Sequence, residues 1–275
     1  MRRLLLTADD LGHGPGVDDG IFRAHREGLL RHASWLAAGD SAETSALRAK
    51  REYPGLSVGL HLALCSGRAS SSLSDPDLAP GGAFPSGPAF CGLKYFLRGG
   101  LKPALEGEMR AQFERFLSFG LKPSHVDGHL NLHAHPTVFP ILIRLCREYG
   151  FTRVRLPGGE LRPALSFGVG PGRLAEGLVF EALRTALLPR AGALRVVDRA
   201  YGLLRSGLMD EEYLLHLLSR LPEGETEIYF HPTADESMLP LGGRPTPAHH
   251  SYLDLQALIS PRVRAAIEER RIELI

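Results

Sequence analysis

The sequence predicts an α/β fold, a single-domain (β/α) barrel spanning residues 1–275. Short apolar runs alternate with helical patterns about eight times along the chain, the signature of strands joined by helical crossovers. Ionisable residues gather at the ends of several of those runs, where parallel α/β folds place their sites. No composition break, internal repeat or long low-complexity tract marks a second domain. An open doubly wound sheet is the alternative that the same alternation allows.

The first run, Arg3–Ala8, is short and continuously apolar, as a buried strand is. Val17–Glu27 reads as a helix with Ile21, Ala24 and His25 on one side and Gly28 near its end. Ala33–Ala38 is a second strand. Ser41–Tyr53 is a helix stopped by Pro54. Ser57–Leu64 is a third strand. Residues 65–100 follow, rich in Ser, Gly and Pro, and read as a long loop of the kind that carries function. Leu101–Gly120 is a helix with Met109, Phe113, Phe116 and Leu117 on one face. Ser124–Leu130 is a fourth strand, Pro140–Tyr149 a helix and Thr152–Leu156 a fifth strand. The helix Leu174–Leu188 precedes a weaker strand at Leu194–Asp198. Asp210–Leu221 is helical, Glu227–His231 a seventh strand, and a second long loop covers 233–252. Pro261–Arg270 is helical and Ile272–Ile275 the last strand.

The bulk numbers bound the function. Hydrophobic residues make up 44% and charged residues 23%, enough apolar content for a core. The formal net charge is +1 and no basic block stands out, which gives no nucleic-acid footprint. Cys65, Cys91 and Cys146 are far apart and form no CxxC, so neither a disulfide framework nor a thiolate metal site is expected. No stretch approaches the ~20 apolar residues of a membrane span. The start MRRLLLTADD breaks too early for a signal peptide. A cytoplasmic protein is expected, with peripheral contact to the membrane's inner face and homo-oligomerisation left open.

Residues 125–136 read HVDGHLNLHAHP and hold four of the twelve histidines. On a strand His125, Asp127 and His129 share one face, and His133 and His135 lie beyond it. Elsewhere the first strand ends in Asp9-Asp10, the third carries His61, the fifth Arg155 and the seventh His231. Two imidazoles and a carboxylate with an open position are a common set for a divalent metal. The trio from separate strand ends is Asp10, His61 and one of His125 or His129. Each residue also has a plainer reading. Asp9-Asp10 could cap a helix, His61 could be a hydrogen-bonded core residue, and Arg155 could pair with a carboxylate. His133 and His135 could be solvated, and His249-His250 sit in a Pro-rich loop with no signal. The coincidence at strand ends favours a metal-dependent hydrolase.

Four motifs carry a family resemblance: TADDLG at 7–12, VGLHL at 58–62, HVDGHLNLH at 125–133 and HP at 231–232. In this order and spacing they resemble the YdjC-like carbohydrate deacetylase family. AQFERFL (111–117), VRLP (154–157) and ISPRVRAAIEER (259–270) resemble its hopanoid-biosynthesis-associated branch. The resemblance implies a somewhat irregular (β/α) barrel that removes N-acetyl groups from an amino sugar with Mg²⁺ or Zn²⁺. It implies Asp10, His61 and His125 as metal ligands, Asp9 as general base and His231 as general acid. Asp127, His129 and His133 are then alternative ligands or groups that orient a ligand, and Arg155 is a candidate for substrate binding. Leu11 stands where the family often has Phe, and Asn131 where it often has another His. The branch implies an N-acetylglucosaminyl lipid as substrate. Phe84, Phe90, Tyr95, Phe96 and Tyr252, on the two long loops, could stack on sugar rings.

Three other functions compete. A metal phosphoesterase or general amidohydrolase would more often open with H-x-H on its first strand. A glycosidase could pair Asp9 with Asp127. A non-catalytic metal-binding protein would need neither Asp9 nor His231.

Overall fold

A computed structural model describes residues 1–71, 75–240 and 249–275. The parts of the two long loops at 72–74 and 241–248 lie outside the described residues.

The centre of the fold is β1 (Arg2–Leu11). Around it run β2 (His32–Leu36), β3 (Ser57–Leu62), β4 (His125–Gly128), β5 (Arg153–Val154), β6 (Arg199–Tyr201) and β7 (Gly224–Phe230). They form one parallel sheet in the order β5-β4-β3-β2-β1-β7-β6. β8 (Glu273–Leu274) lies off this path. It pairs Arg3 and Leu4 of β1, on the side where β2 begins only at Thr7.

The sheet curls into a half-barrel rather than the closed eight-stranded barrel expected. Its edge strands β5 and β6 are short, and the bridges Arg153↔Arg195 and Gly158↔Ala200 join their neighbourhoods. The first bridge is parallel and the second antiparallel, so no continuous ladder joins the two edges among the described residues. The expected strand at Leu194–Asp198 accordingly forms only one bridge, and the strand proper comes at Arg199–Tyr201.

The helices are α1 (Pro15–Glu27), α2 (Ala42–Glu52), α3 (Pro88–Leu97), α4 (Lys102–Ser118) and α5 (Val138–Tyr149). They continue with α6 (Leu161–Phe167), α7 (Pro171–Leu187), α8 (Glu211–Ser219), α9 (Tyr252–Ile259) and α10 (Pro261–Glu269). Three of them fall where no helix was expected. α3 lies inside the 65–100 loop, where the Ser, Gly and Pro on either side hid a short, mostly apolar run. α6 is short. α9 starts at an N-cap, Ser251, whose hydroxyl accepts from the Leu253 amide, a local signal that the Pro-rich sequence before it hid.

Strand alternation divides the interior in two. Leu4, Leu6 and Ala8 of β1 face the helices and join the main core, with Trp35, Leu60, Val126 and Phe230. Trp35 is fully buried, edge-on to Phe116 and Phe119 at 6.0 and 5.6 Å. The opposite residues point into the curl. At its bottom Leu5 meets Val197 and Ala200. Above that layer the curl is filled with charged and hydroxyl side chains.

Candidate active site

The floor of the site is a buried ion network centred on Arg155, just past β5. Its Nη1 and Nη2 donate to the two oxygens of Asp9 at 2.6 and 2.8 Å. The same guanidinium reaches Asp127 Oδ2 at 2.7 Å and Glu227 Oε1 at 2.8 Å. Its face lies 4.3 Å from the Tyr229 ring centroid. Three carboxylates on one cation leave a net negative charge in a buried space, which calls for further positive groups. Arg155 is only 2% exposed and does not line the cleft. Its expected part in substrate binding is replaced by pairing with carboxylates inside the curl.

The rim is built by residues at or just beyond the strand ends. Consecutive strand residues point to opposite faces, so Asp9 and Asp10 would be separated on a regular strand. The β1–β2 register shifts between Ala8 and Leu11, and Asp10 has φ 68°. This bulge turns Asp10 toward the site as well, and Asp tolerates that left-handed conformation better than most residues. Asp10 Oδ1 lies 3.2 Å from His61 Nε2 and 2.9 Å from His129 Nδ1. Its Oδ2 lies 3.1 Å from His250 Nε2.

His129 is not on the strand. β4 ends at Gly128, and the chain turns through Leu130 and Asn131, both left-handed at φ 51° and 56°. The turn carries His129 over Asp10 and sends His133 downward, where its Nε2 donates to the Arg155 carbonyl at 2.9 Å. A Cβ on Gly128 would lie 2.8 Å from His133 Nδ1, so the glycine in HVDGH makes room for that ring.

His125 stays below. Its Nε2 is 3.1 Å from Ser34 Oγ and its Nδ1 2.9 Å from Ser124 Oγ. A Cβ on Gly59 would lie 2.5 Å from the His125 ring, which explains the glycine in VGLHL. The structure therefore brings together Asp10, His61 and His129, and it does not bring His125 to them. The i, i+2, i+4 spacing had placed both histidines on one strand face; the early end of β4 separates them.

Ligand atoms of Asp10, His61 and His129 lie within 4.8 Å of one another, and so do those of Asp9, His61 and Asp127. In the second trio Arg155 already holds both carboxylates, so a metal there would sit against a guanidinium. The first trio offers one carboxylate and two imidazoles with no cationic residue bonded to the carboxylate except histidine. Asp127 Oδ1 accepts from His61 Nδ1 at 2.7 Å, which leaves Nε2 facing Asp10 and orients the ring as a carboxylate orients a ligating histidine.

Burial dominates the proton affinities, and local charges decide their sign. Burial pushes Asp9 up to about 6, although Arg155 pulls it down. Burial also acts on Asp10, but the His129 charge and hydrogen bonds from His129, His250 and His61 hold it well below the usual range. Burial works to lower His61, and the charges of Asp127 and Asp9 outweigh it, raising the imidazole to about 10. Burial drives His231 down to about 3 and His133 to about 4.

His231 follows β7. Its backbone N–H donates to Asp254 Oδ2 at 3.0 Å, and its Nε2 lies 3.9 Å from Asp9 Oδ2. Its Nδ1 is buried without a hydrogen-bond partner. His250 was expected to be bland, yet it reaches Asp10 and packs against His13 and His231 at ring distances of 4.6 and 6.2 Å. Nothing in its local sequence signals this.

A cleft of about 410 Å³ opens above these groups. Asp9, Asp10, His61, His129 and His231 form its base, and Arg173, Glu176 and Phe180 of α7 form one wall. None of Phe84, Phe90, Tyr95, Phe96 or Tyr252 lines it. Phe84 and Tyr95 are buried, and Phe90 and Phe96 face away into solvent.

Fold and site together define an α/β half-barrel protein with a carboxylate–imidazole centre at the carboxyl ends of its strands. Residues 3–269 match the family described as YdjC-like protein, and the chain belongs to that family. It is 32% identical to a carbohydrate deacetylase of Geobacillus stearothermophilus, covering 100% of this chain and 96% of that one. A mouse carbohydrate deacetylase is 31% identical, over 99% of this chain and 93% of its own. Among solved structures, an Enterococcus faecalis V583 protein named for cellobiose-phosphate cleavage shares the fold, with TM-score 0.75 and 22% identity. That match covers 100% of this chain and 97% of the other.

Proposed function

We propose that this protein is a divalent-metal-dependent carbohydrate deacetylase that releases acetate from an N-acetylated amino sugar. The observation that carries the reading is the convergence of Asp10, His61 and His129 beside a separate carboxylate, Asp9, and a separate imidazole, His231. The family and the names of its relatives support the same chemistry. Mg²⁺ or Zn²⁺ would be held by Asp10, His61 and His129, and two imidazoles suit Zn²⁺ better than an ion that prefers all-oxygen ligands. When bound, such a cation polarises a carbonyl oxygen and acidifies water.

The chain's own residues would handle the proton. Asp9 is anchored through both oxygens by Arg155, and burial raises its proton affinity toward neutrality, as a general base requires. Asp9 takes the proton of the attacking water. His231 is neutral at rest because of burial, so the proton that it donates must reach it during turnover. Asp9 Oδ2, 3.9 Å from His231 Nε2, offers the route. His231 then protonates the sugar nitrogen as the C–N bond breaks, and acetate and a free amino sugar leave. One proton has then moved from water to nitrogen, and the acid product leaves as acetate by giving up its remaining proton to solvent. Asp127 keeps His61 oriented, and His250 holds the second oxygen of Asp10.

A glycosidase pairing of Asp9 with Asp127 is disfavoured because Asp127 is fully buried, holds the His61 ring and does not line the cleft. The hopanoid-associated branch would supply an N-acetylglucosaminyl lipid as substrate. The test is acetate release from N-acetylglucosaminyl lipids and chitooligosaccharides by metal-stripped and metal-restored protein. Release that requires restored Mg²⁺ or Zn²⁺ is expected. Metal binding without acetate from any such substrate would leave only a metal-binding protein.

A further inference from the structure

α3 leaves its apolar face uncovered. It buries Cys91 and Tyr95 and exposes Phe90 (59%), Leu93 (59%), Phe96 (67%) and Leu97 (69%). Four large apolar side chains on one short helix make a patch that monomeric proteins rarely leave without a purpose. The charge beside it is one-sided. From Leu78 to Leu105 the chain has no acidic residue, and Lys94, Arg98 and Lys102 supply its only charges. The nearest counter-charge is an exposed Arg98–Asp77 pair at 3.7 Å, weak enough for another anion to displace. Lys94, half-buried, donates to the Asp77 carbonyl, which leaves Arg98 and Lys102 as the exposed cations.

The patch belongs to the mouth of the cleft. Pro88, the first residue of α3, lines the cleft, and α7 walls it with Arg173, Glu176 and Phe180. Both helices pack against the 3-10 turn that carries His129. α7 exposes Leu178 and Val179 (62% and 58%). Apolar side chains therefore stand out on both of the helices that bound the opening.

We infer that this face docks on the surface of an anionic lipid bilayer, with α3 lying in the headgroup region and the cleft opening onto it. An in-plane helix of this kind combines buried apolar side chains with basic residues that meet lipid phosphates. A second copy of the chain fits the face less well. A two-fold interface sets a patch against itself, and Lys94, Arg98 and Lys102 would then meet their own counterparts. No described helix is long and apolar enough to cross a membrane, so the contact is peripheral. Docking itself stands on the patch alone. Its consequence, that the acetylated sugar is lipid-linked and taken from the bilayer, rests on the deacetylase reading.

The test is co-sedimentation of the full chain with phosphatidylcholine vesicles and with mixed phosphatidylcholine–phosphatidylglycerol vesicles. The protein should sediment with the mixed vesicles and be released by added salt. Replacing both exposed rings, Phe90→Ser with Phe96→Ser, should weaken partitioning at least about tenfold. It should leave hydrolysis of a water-soluble N-acetylated amino sugar unchanged, since neither ring lines the cleft. Protein that stays in the supernatant with both vesicle types overturns the inference. So does a double variant that sediments as the wild type does. A wild-type dimer that the double variant dissociates, with no vesicle binding, assigns the face to a second copy instead. Vesicle binding without turnover of any acetylated sugar keeps the docking and removes the deacetylase reading.

Discussion

The floor and the rim of the half-barrel use the same residue types to opposite ends. On the floor, Arg155, Asp127, Glu227, Ser34 and His125 sit on or next to strands and are tied to one another by hydrogen bonds. On the rim, Asp10, His129, His231 and His250 lie at a bulge, on a turn or in a loop. Two of these rim residues show what the turn geometry permits. Asp10 is held in left-handed backbone, and His231 keeps a buried nitrogen without a partner. Strands fix side chains at set spacing and let a network close on itself. Chain that has just left a strand can aim donors at a shared point outside the network, where a ligand completes it. Damage to the floor should therefore appear as lost stability, and damage to the rim as lost chemistry in a folded protein.

Arg155→Met is the strongest way to break this contrast. It leaves Asp9, Asp127 and Glu227 buried without their common cation, a loss that typically costs about 3–5 kcal/mol. That is a large share of a domain's total stability. Urea unfolding of the metal-free protein should show it. A variant that unfolds at the wild-type midpoint would mean that the floor is not structural. His231→Ala addresses the rim. Turnover should fall by about 10²–10⁴-fold, the usual range for a lost general acid, while metal content and unfolding midpoint stay as in the wild type. Full turnover would end its assignment as the acid.

The floor was more legible in the sequence than the rim. Apolar runs located β1 to β4 and β7 to within a few residues, strand ends singled out Asp9 and His61, and period-2 alternation set Asp127 on the same face as His125. Arg155 was seen, but its burial was not, because pairing with carboxylates from β1, β4 and β7 is a tertiary fact. The rim depended on where strands stop. Ser124–Leu130 read as one strand, yet the backbone leaves it at Gly128 and reverses through Leu130 and Asn131. Asn131 is a residue that tolerates left-handed backbone, but Leu130 before it is not, so residue type announced the turn only weakly. His250 arrives from a loop distant in sequence, and only folding shows that it meets Asp10.

The two histidines that this turn separates give the sharpest test. His129→Ala removes a proposed ligand, so affinity for Zn²⁺ should drop by more than the 10–100-fold, roughly, that loss of an orienting partner causes. Metal-free stability should fall less than in the His125 variant, since His61 and His250 still hydrogen-bond the buried Asp10 that His129 leaves. His125→Ala should do the reverse. Affinity should stay within about tenfold of wild type, and stability should fall by roughly 1–3 kcal/mol as Ser34 and Ser124 lose a buried partner. Calorimetric titration with Zn²⁺ and unfolding of the metal-free proteins read both effects. Equal loss of affinity in the two variants would return His125 to the ligand set.

The last effect is read as a slope against pH and lies where floor and rim meet, at Asp254. This fully buried carboxyl accepts from the backbone amides of His231 and Met209 and so fixes where the rim begins after β7. Burial pushes it up to about 7, above the ordinary carboxylate value. The folded protein thus binds a proton here that the unfolded chain has already lost. The sign follows from linkage. The contribution of Asp254 is complete below the unfolded pKa of about 4 and is lost as pH rises through about 7, at up to about 1.4 kcal/mol per pH unit. Other carboxylates, Asp127 among them, have lowered values and act in the opposite direction, so the Asp254 share must be isolated by difference. Asp254→Asn cannot ionise, and it also offers one acceptor oxygen where two are used. The lost acceptor adds a constant offset to the variant's stability, whereas the missing titration changes the slope. Unfolding of wild type and variant between about pH 5 and about pH 8 separates the two. The gap between them should narrow, or reverse, as pH rises. Parallel curves would mean that Asp254 is already ionised in the folded protein and that the His231 amide is held by a carboxylate at every working pH.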